Sequence, residues 1–190
     1  MKRSKADAAE TRRRIVNTAA AAFRARGIAG AGLADVMAAA GLTHGGFYRH
    51  FDSKDQLVSE AIVAATDSVA EAMASVASRG QAGAGLKEVT SAYLSASHRD
   101  DLESGCPLAA LGSEIARSDH AARQAATEGF LKLVDVLAAQ SGRPHSQAAR
   151  RKAMVALSAM VGALIMSRIV TDPDVSATLL EQTAIQLVKA

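Results

Sequence analysis

The sequence has few of the residues that stabilise small disulfide-linked or β-rich folds. Among its 190 residues there is one cysteine, Cys106, so no disulfide can form within the chain. Tryptophan is absent, and there are only four phenylalanines, two tyrosines and three prolines. Strands favour aromatic and β-branched residues, whereas the Ala and Leu that dominate here favour helices. The composition therefore predicts an all-helical protein of a reducing compartment.

Signals for secretion or membrane insertion are also lacking. Residues 1–7 carry several charged side chains and no apolar core of a signal peptide. The longest apolar stretch, residues 153–165, is too short to cross a bilayer. We therefore expect a cytoplasmic chain without a membrane partner.

The net charge of +3 is distributed unevenly along the chain. Residues 1–51 hold nine Lys or Arg against three acidic residues, a balance of +6. The remaining residues therefore carry −3. A basic N-terminal segment on a slightly acidic body is what a DNA-binding head on a ligand-binding body requires, although a solubilising tail would give the same balance.

Apolar spacing predicts nine helices, and no segment shows a competing strand pattern. Gly-rich or polar breaks are expected at 79–85, 99–105 and 142–144. Ser53 and Gln56 form a capping box before the fourth helix. The pattern divides the chain into a head at 1–52 and a helical body of about six helices at 53–190. The predicted helices cover residues 11–26, 33–40, 44–50, 54–78, 86–98, 107–117, 119–140, 146–170 and 173–188.

The most specific pattern lies at residues 32–51, where two short helices flank the Gly41 turn. Thr43 is expected to cap the second of these helices. That helix begins with His44, Gly45 and Gly46, which offer little bulk to a core but allow close approach to DNA. The segment is thus predicted to be a helix-turn-helix. Its candidate DNA-binding residues are Thr43, His44, Gly45, Gly46, Tyr48, Arg49, His50 and Lys54, the last as a phosphate contact.

The same segment resembles the TetR family of transcriptional regulators. The matching positions, in order, are Ala40-Gly41, Thr43, Gly45, Phe47, Tyr48, His50, Phe51 and Ser53-Lys54. Two positions depart from the family pattern. His44 replaces the usual Lys or Arg, and Gly46 replaces a side chain that often reads a base, so the recognition helix has few base-reading groups.

The resemblance implies a homodimeric repressor that binds an operator in double-stranded DNA and is released by a small-molecule effector. It also implies that the helices at 146–170 and 173–188 form the dimer interface, since both combine large apolar residues with small ones. The alternative is that these faces pack into the core of their own chain.

A ligand pocket is expected between the helices of the body. Candidate lining residues are Tyr93, Cys106, Leu111, Phe130 and Met154. They are mostly apolar, which favours a modest and largely apolar effector. For each of them an ordinary core position is the alternative.

Cys106 lies in the segment Gly105-Cys106-Pro107-Leu108-Ala109, which resembles one branch of TetR-like regulators. A helix begins at Pro107, and its dipole would favour the thiolate of a cysteine at this end. Cys106 could therefore sense electrophiles or oxidants on the same scaffold. The alternative is a small residue that packs at a helix start.

Catalytic and metal-binding patterns are not apparent. We find no nucleophile–base pair, no useful pair of carboxylates and no phosphate loop, so a helical enzyme is a distant alternative. His98, His120 and His145 lack metal-ligand spacing and are expected at the surface or as caps. No cofactor or metal is expected.

Overall fold

The computed structural model describes residues 5–79, 85–143 and 146–189. Within these ranges the chain is helical and contains no strand, which confirms the all-helical prediction. His145, residues 80–84 of the break predicted at 79–85 and residue 144 of the break predicted at 142–144 lie outside the described residues. In chain order the elements are α1 Lys5–Gly30, α2 Leu33–Ala39, a 3₁₀ helix η1 His44–Arg49, α3 Lys54–Arg79, α4 Gly85–Tyr93, α5 Ala96–Asp100, α6 Pro107–Ile115, α7 His120–Ala138, α8 Gln147–Ile169 and α9 Pro173–Lys189.

The long helix α3 packs most extensively against α7 and next against α1. Its first half, including Leu57 and Ile62, joins α1, α2 and η1 in a first core that also takes residues from α6 and α7. Its second half, including Met73, joins α4, α7, α8 and α9 in a second core. A head on a helical body is therefore confirmed, with α3 shared between the two cores. The exact boundary at residue 52 stays a prediction.

Helix α1 extends one turn beyond its predicted end. Gly27 has φ of +77°, a left-handed conformation that favours glycine, and breaks the helix as expected. Residues 28–30 then resume helical geometry in a new direction. The break leaves the N–H groups of Ile28 and Ala29 without carbonyls of the preceding turn, and both require other acceptors.

Residues at the start of α3 stabilise this last turn of α1 through hydrogen bonds. Ser53 Oγ accepts from Gln56 N at 3.1 Å, as the capping box predicts, and Gln56 Oε1 accepts from Asp52 N at 2.8 Å, one residue before the expected donor Ser53 N. Lys54 Nζ donates to the carbonyls of Ile28 at 2.6 Å and Ala31 at 2.9 Å. The predicted phosphate contact of Lys54 therefore needs correction, because these carbonyls hold its ammonium group.

The helix predicted over 86–98 is divided in two. It ends at Tyr93, and Ser95 then caps α5, whose residues include part of the segment predicted as a polar loop.

His98 turns inward from α5 and is half-buried, in contrast to the predicted surface position. Its Nε2 accepts from Cys106 N at 3.0 Å, and its Nδ1 donates to Tyr93 O at 2.7 Å. These two bonds require the neutral ring with the proton on Nδ1.

Arg168 connects α8 to this junction. Its Nη2 donates to the carbonyl of His98 at 3.0 Å and its Nε to that of Arg99 at 2.9 Å. Burial lowers the pKa of His98. The hydrogen bond to Tyr93 acts in the opposite direction, and the charge of Arg168 lowers the pKa further. Asp101 acts in the opposite direction without reversing the result. The junction of α5 and α6 is thus built around an uncharged histidine.

Lys54→Met should lower the free energy of unfolding by about 2 kcal/mol, because two hydrogen bonds from a charged group are lost while the aliphatic chain is kept. Lys132→Met is the matched control, since Lys132 pairs with Asp67 on the surface and its loss should cost about 1 kcal/mol or less. Urea denaturation measures both variants. Equal stability of Lys54→Met and the parent protein would contradict the structural role of Lys54.

The stability of the protein should fall as the pH drops below about 6.5, the ordinary pKa of histidine, because the unfolded chain then takes up a proton that folded His98 resists. His98→Gln keeps an acceptor for Cys106 N and removes this titration. The variant should cost about 1 kcal/mol at pH 7.5, and its deficit should shrink toward pH 5.5. Urea titrations at both pH values measure the difference in unfolding free energy between the variant and the parent protein. A difference that does not change with pH would contradict the neutral ring.

Candidate DNA-binding surface and effector region

The turn between α2 and η1 has the geometry expected of a tight helix-turn-helix. Gly41 has φ of +72°, the second left-handed residue among those described. Its N–H donates to Ala38 O, and the N–H of Leu42 donates to Met37 O, both at 2.9 Å. These bonds close the end of α2 and turn the chain directly into η1.

The inner face of η1 is anchored by two aromatic rings. Phe47 and Phe51 are fully buried and stack with their centroids 5.4 Å apart. The guanidinium of Arg12 lies 4.1 Å above the ring of Phe51 and pairs with Glu60 of α3. The element is a 3₁₀ helix, not the α-helix expected, and its rigidity comes from this packing because 3₁₀ hydrogen bonds are poorly aligned.

The outer face of η1 brings most of the predicted DNA-binding residues together. Thr43 occupies the cap position, but its side chain makes no capping hydrogen bond, so this part of the prediction is wrong. Tyr48 is 67% exposed, although its ring edge contacts Phe47. The exposed members of this face are Thr43, His44, Gly45, Tyr48 and Arg49, while Gly46 and His50 are half-buried and Lys54 lies apart.

Gly45 and Gly46 are not required by the fold. Neither has a left-handed backbone. A Cβ at Gly45 would meet no atom within 4 Å, and one at Gly46 would make only ordinary contacts at 3.7 Å. Glycine destabilises a helix, so neither local geometry nor packing accounts for glycine at these two positions.

Two contacts between α1 and the segment around α6 were not apparent from the sequence. Glu114 Oε2 accepts from Ile28 N at 2.9 Å and from Ala29 N at 3.3 Å, the groups released by the break at Gly27. At the other end of α6, Arg24 Nε donates to Glu103 O at 2.6 Å. The signal in the sequence was Gly27, which implied unpaired N–H groups without naming their partner.

The five candidate effector residues are dispersed through the body. Tyr93 and Cys106 lie together in the second core, and Phe130 and Met154 pack against its edge. Leu111 belongs instead to the first core. Phe130 also lines a groove of about 590 Å³ between α6, α7 and α8. None of the described residues forms a group of His, Cys, Asp and Glu suited to a metal ion.

The thiol of Cys106 is fully buried at the N-terminus of α6. Burial raises its pKa, and the opposing bonds from Tyr93 and from the first N–H groups of α6 do not compensate. The expectation that the helix dipole activates the Cys106 thiol is therefore corrected, because desolvation of the thiol outweighs the effect of the dipole. A protonated and buried thiol is a poor nucleophile.

Helices α8 and α9 bury part of their apolar surface within the chain and expose the rest. Leu157 and Leu164 are buried in the second core. This part of α8 therefore packs into its own chain, as the alternative to a dimer face predicts. By length and composition alone α8 could cross a membrane, but here it packs on α6, α7 and α9. The large apolar side chains that these two helices expose are Val155, Met166, Ile169, Val175 and Val188.

Two sequence profiles match separate parts of the chain. Residues 15–61 match the profile described as bacterial regulatory proteins, tetR family. Residues 82–175 match that of the LmrA/YxaF-like transcriptional regulator C-terminal domain. The first match contains the helix-turn-helix, and the second contains α4 to α8 and the start of α9.

The curated relatives resemble about a third of the chain. The HTH-type transcriptional regulator TtgR of Pseudomonas putida is 45% identical over 58 residues, which is 30% of this chain and 28% of that protein. The probable acrEF/envCD operon repressor of Escherichia coli is 42% identical over 59 residues, or 31% and 27% of the two chains. The chain thus matches less than a third of the length of these relatives.

Solved structures match nearly the whole chain. A TetR transcriptional regulator from Chloroflexus aurantiacus has a TM-score of 0.78 and 29% identity, covering 97% of this chain and 95% of its own. The reduced form of Escherichia coli NemR has a TM-score of 0.74 and 19% identity over 94% and 95% of the two chains, a likeness of fold. From the paired profile matches and this fold, the chain belongs to the TetR family of bacterial regulatory proteins.

Proposed function

We propose that the protein is a DNA-binding transcriptional repressor that a small effector releases from its operator. The observation that carries the proposal is the outer face of η1, where exposed hydrogen-bond donors surround Gly45, a position at which a Cβ would meet no atom within 4 Å. Such a face fits the major groove of double-stranded DNA. Family membership favours a regulator over an enzyme and is consistent with a cytoplasmic location.

Contacts with phosphate supply most of the DNA affinity in this proposal. Tyr48, Arg49 and Thr43 are exposed donors on one face, and the N-terminal segment carries a charge of +6. His44 and the two glycines offer few groups that distinguish bases. Sequence preference therefore depends on Thr43, Tyr48 and the shape of the DNA as much as on direct readout.

The repressor acts as a homodimer in which α8 and α9 of two chains form a four-helix interface. Exposed apolar side chains on these helices support this arrangement, because a monomer would leave them in water. A dimer also presents two η1 faces, as a palindromic operator requires.

Effector binding reaches the head through α6. This helix contacts both cores, Glu114 near its end bonds the last turn of α1, and Glu103 in the segment before it accepts from Arg24 of α1. An effector that separates the helices of the body displaces α6 and, with it, the turn that follows Gly27. By linkage, an effector that weakens DNA binding is itself bound less tightly by the protein on DNA.

Arg49→Gln should weaken binding to the operator by about tenfold at low salt and reduce the salt slope by about one, since a phosphate contact is lost. Fluorescence anisotropy with fragments from the region upstream of the gene measures both quantities. Arg150→Gln, on the exposed surface of the body, is the matched control and should bind as the parent protein does. An unchanged salt slope for Arg49→Gln would contradict the proposed DNA face.

A parent protein that binds none of these fragments above the level of unrelated DNA at low salt would overturn the proposal as a whole.

Val155→Glu combined with Ile169→Glu should convert the dimer into monomers, because four carboxylates would be buried in one apolar interface. Val63→Glu is the control, as Val63 is an exposed apolar residue of α3 away from the proposed interface. Sedimentation velocity measures the mass, and circular dichroism checks that the helices persist. A dimer that survives the double substitution would contradict this interface.

A further inference from the structure

The groove between α6, α7 and α8 spans both hydrophobic cores. Among the residues that line it, Ile115 and Ala126 belong to the first core, whereas Phe130 and Val161 pack against the second. Its volume of about 590 Å³ lies within the range of roughly 300–1,000 Å³ that is usual for small-molecule sites. A molecule bound in the groove would therefore contact the core of the head and that of the body at once.

The groove also carries a cation without a partner. Among the described residues, Arg123 is the only charged one that lines it, and none of the others forms an ion pair or hydrogen bond with its guanidinium. Thr127 and Ser158 line it too, but their hydroxyls donate to backbone carbonyls four residues earlier, at 2.8 and 2.9 Å. Asp119, one turn before Arg123, caps α7. The N–H donors of the guanidinium are thus open to an acceptor from outside the chain.

Two glycines inside helices line the same groove. They are Gly112 of α6 and Gly162 of α8, and neither has a left-handed backbone. A Cβ at either position would meet no atom within 4 Å. Alanine is favoured over glycine inside a helix, so neither local geometry nor packing within the chain accounts for these residues. Their missing side chains widen the groove.

The helix α6 connects the groove to the head. Ile115 lines the groove, and the preceding residue, Glu114, holds the last turn of α1. The carboxylate of Glu114 accepts from Ile28 N at 2.9 Å and from Ala29 N at 3.3 Å. A molecule that pushed α6 away from α7 would therefore displace the acceptor of this turn.

We propose that this groove binds the effector, and that the effector is an apolar molecule with one carboxylate, which pairs with Arg123. This inference rests on the proposed function and specifies the site and the ligand class of its effector. The apolar part packs on Phe130 and Val161, which lie away from the charged residue. Arginine suits the other part, because a guanidinium binds a carboxylate through two parallel hydrogen bonds.

The competing occupant is a second copy of this chain. Ser158 and Gly162, which line the groove, share one face of α8 with the exposed Met166, since residues four apart lie on the same side of a helix. The groove thus borders the proposed dimer interface. The unpaired guanidinium favours a small anion over an apolar helix face, which would bury that charge without neutralising it.

The first test compares two probes of one shape on the full-length parent protein, 2-naphthoate with a carboxylate and 2-naphthamide without a charge. We expect calorimetry to show that 2-naphthoate binds about tenfold more tightly, because only this probe forms the ion pair. It should also weaken binding to the operator fragment in fluorescence anisotropy. Equal binding of the two probes, no binding of 2-naphthoate, or binding without release of DNA would overturn the proposal.

The second test removes the cation. Arg123→Gln should bind 2-naphthoate about tenfold more weakly and 2-naphthamide as the parent does, with an unchanged Tm because the guanidinium holds no contact in the described chain. Arg117→Gln is the matched control, since Arg117 is exposed just beyond α6 and does not line the groove. It should bind both probes as the parent does. An equal loss in both variants, or no loss in Arg123→Gln, would overturn the proposal.

The third test fills the groove. Gly112→Leu should weaken binding of 2-naphthoate by about tenfold, because its side chain enters the occupied space. Gly112→Ala should weaken binding less and should raise the Tm in circular dichroism. Ala121→Leu, at an exposed position of α7 outside the groove, is the matched control and should bind as the parent does.

Sedimentation velocity of Gly112→Leu identifies the competing occupant. We expect the mass of the parent protein. Conversion of a dimer into monomers would show that a second copy fills the groove and would overturn the proposal, as would unchanged binding of 2-naphthoate by Gly112→Leu. Binding of DNA by the ligand-free parent protein is measured separately, so each of these results leaves the DNA-binding function standing.

Discussion

The packing of α3 against α1 on one side and α7 on the other is the interaction on which the rest of the structure depends. A single helix of 26 residues contributes its first half to the core of the head and its second half to the core of the body. A rigid helix transmits the position of one core to the other, because its intrahelical hydrogen bonds resist bending. Lys54 strengthens this connection at the point where α3 begins.

The connection through α6 has a different character. Leu111 and Ile115 of α6 are buried in the first core, and Glu114 accepts hydrogen bonds from the turn after Gly27. Arg24, which donates to Glu103 O before α6, has its Nη1 buried without a partner. The contact through α6 therefore retains an unsatisfied polar group, whereas the packing of α3 is apolar.

Local signals in the sequence predicted much of the fold. The cap at Ser53, the turn at Gly41 and the helix start at Pro107 each act within a few residues, and the structure confirms all three. The division of the helix predicted over 86–98 was missed because Ser95 is a cap whose signal is weak inside an apolar pattern. For the proposed DNA-binding face, the sequence predicted a helix over 44–50 but not the 3₁₀ geometry of η1.

Contacts between residues distant in the chain could not be predicted. The phosphate contact predicted for Lys54 rests on its place at the positive N-terminal end of a helix, and only the fold brings the carbonyls of Ile28 and Ala31 to it. The surface position predicted for His98 rests on its lack of metal-ligand spacing, which says nothing about its contacts with Tyr93 and Cys106. The environment of Cys106 likewise depends on tertiary burial, which reverses the effect that its position at a helix end implies.

The open positions in η1 have a consequence for the evolution of this protein. A Cβ at Gly45 would meet no atom within 4 Å and one at Gly46 would make only ordinary contacts, and leaving glycine would favour helical backbone. In the proposed function, operator preference therefore diverges by single small substitutions that do not disturb the phenylalanines beneath. The head separates the residues that maintain the fold from those that are free to acquire a new sequence preference.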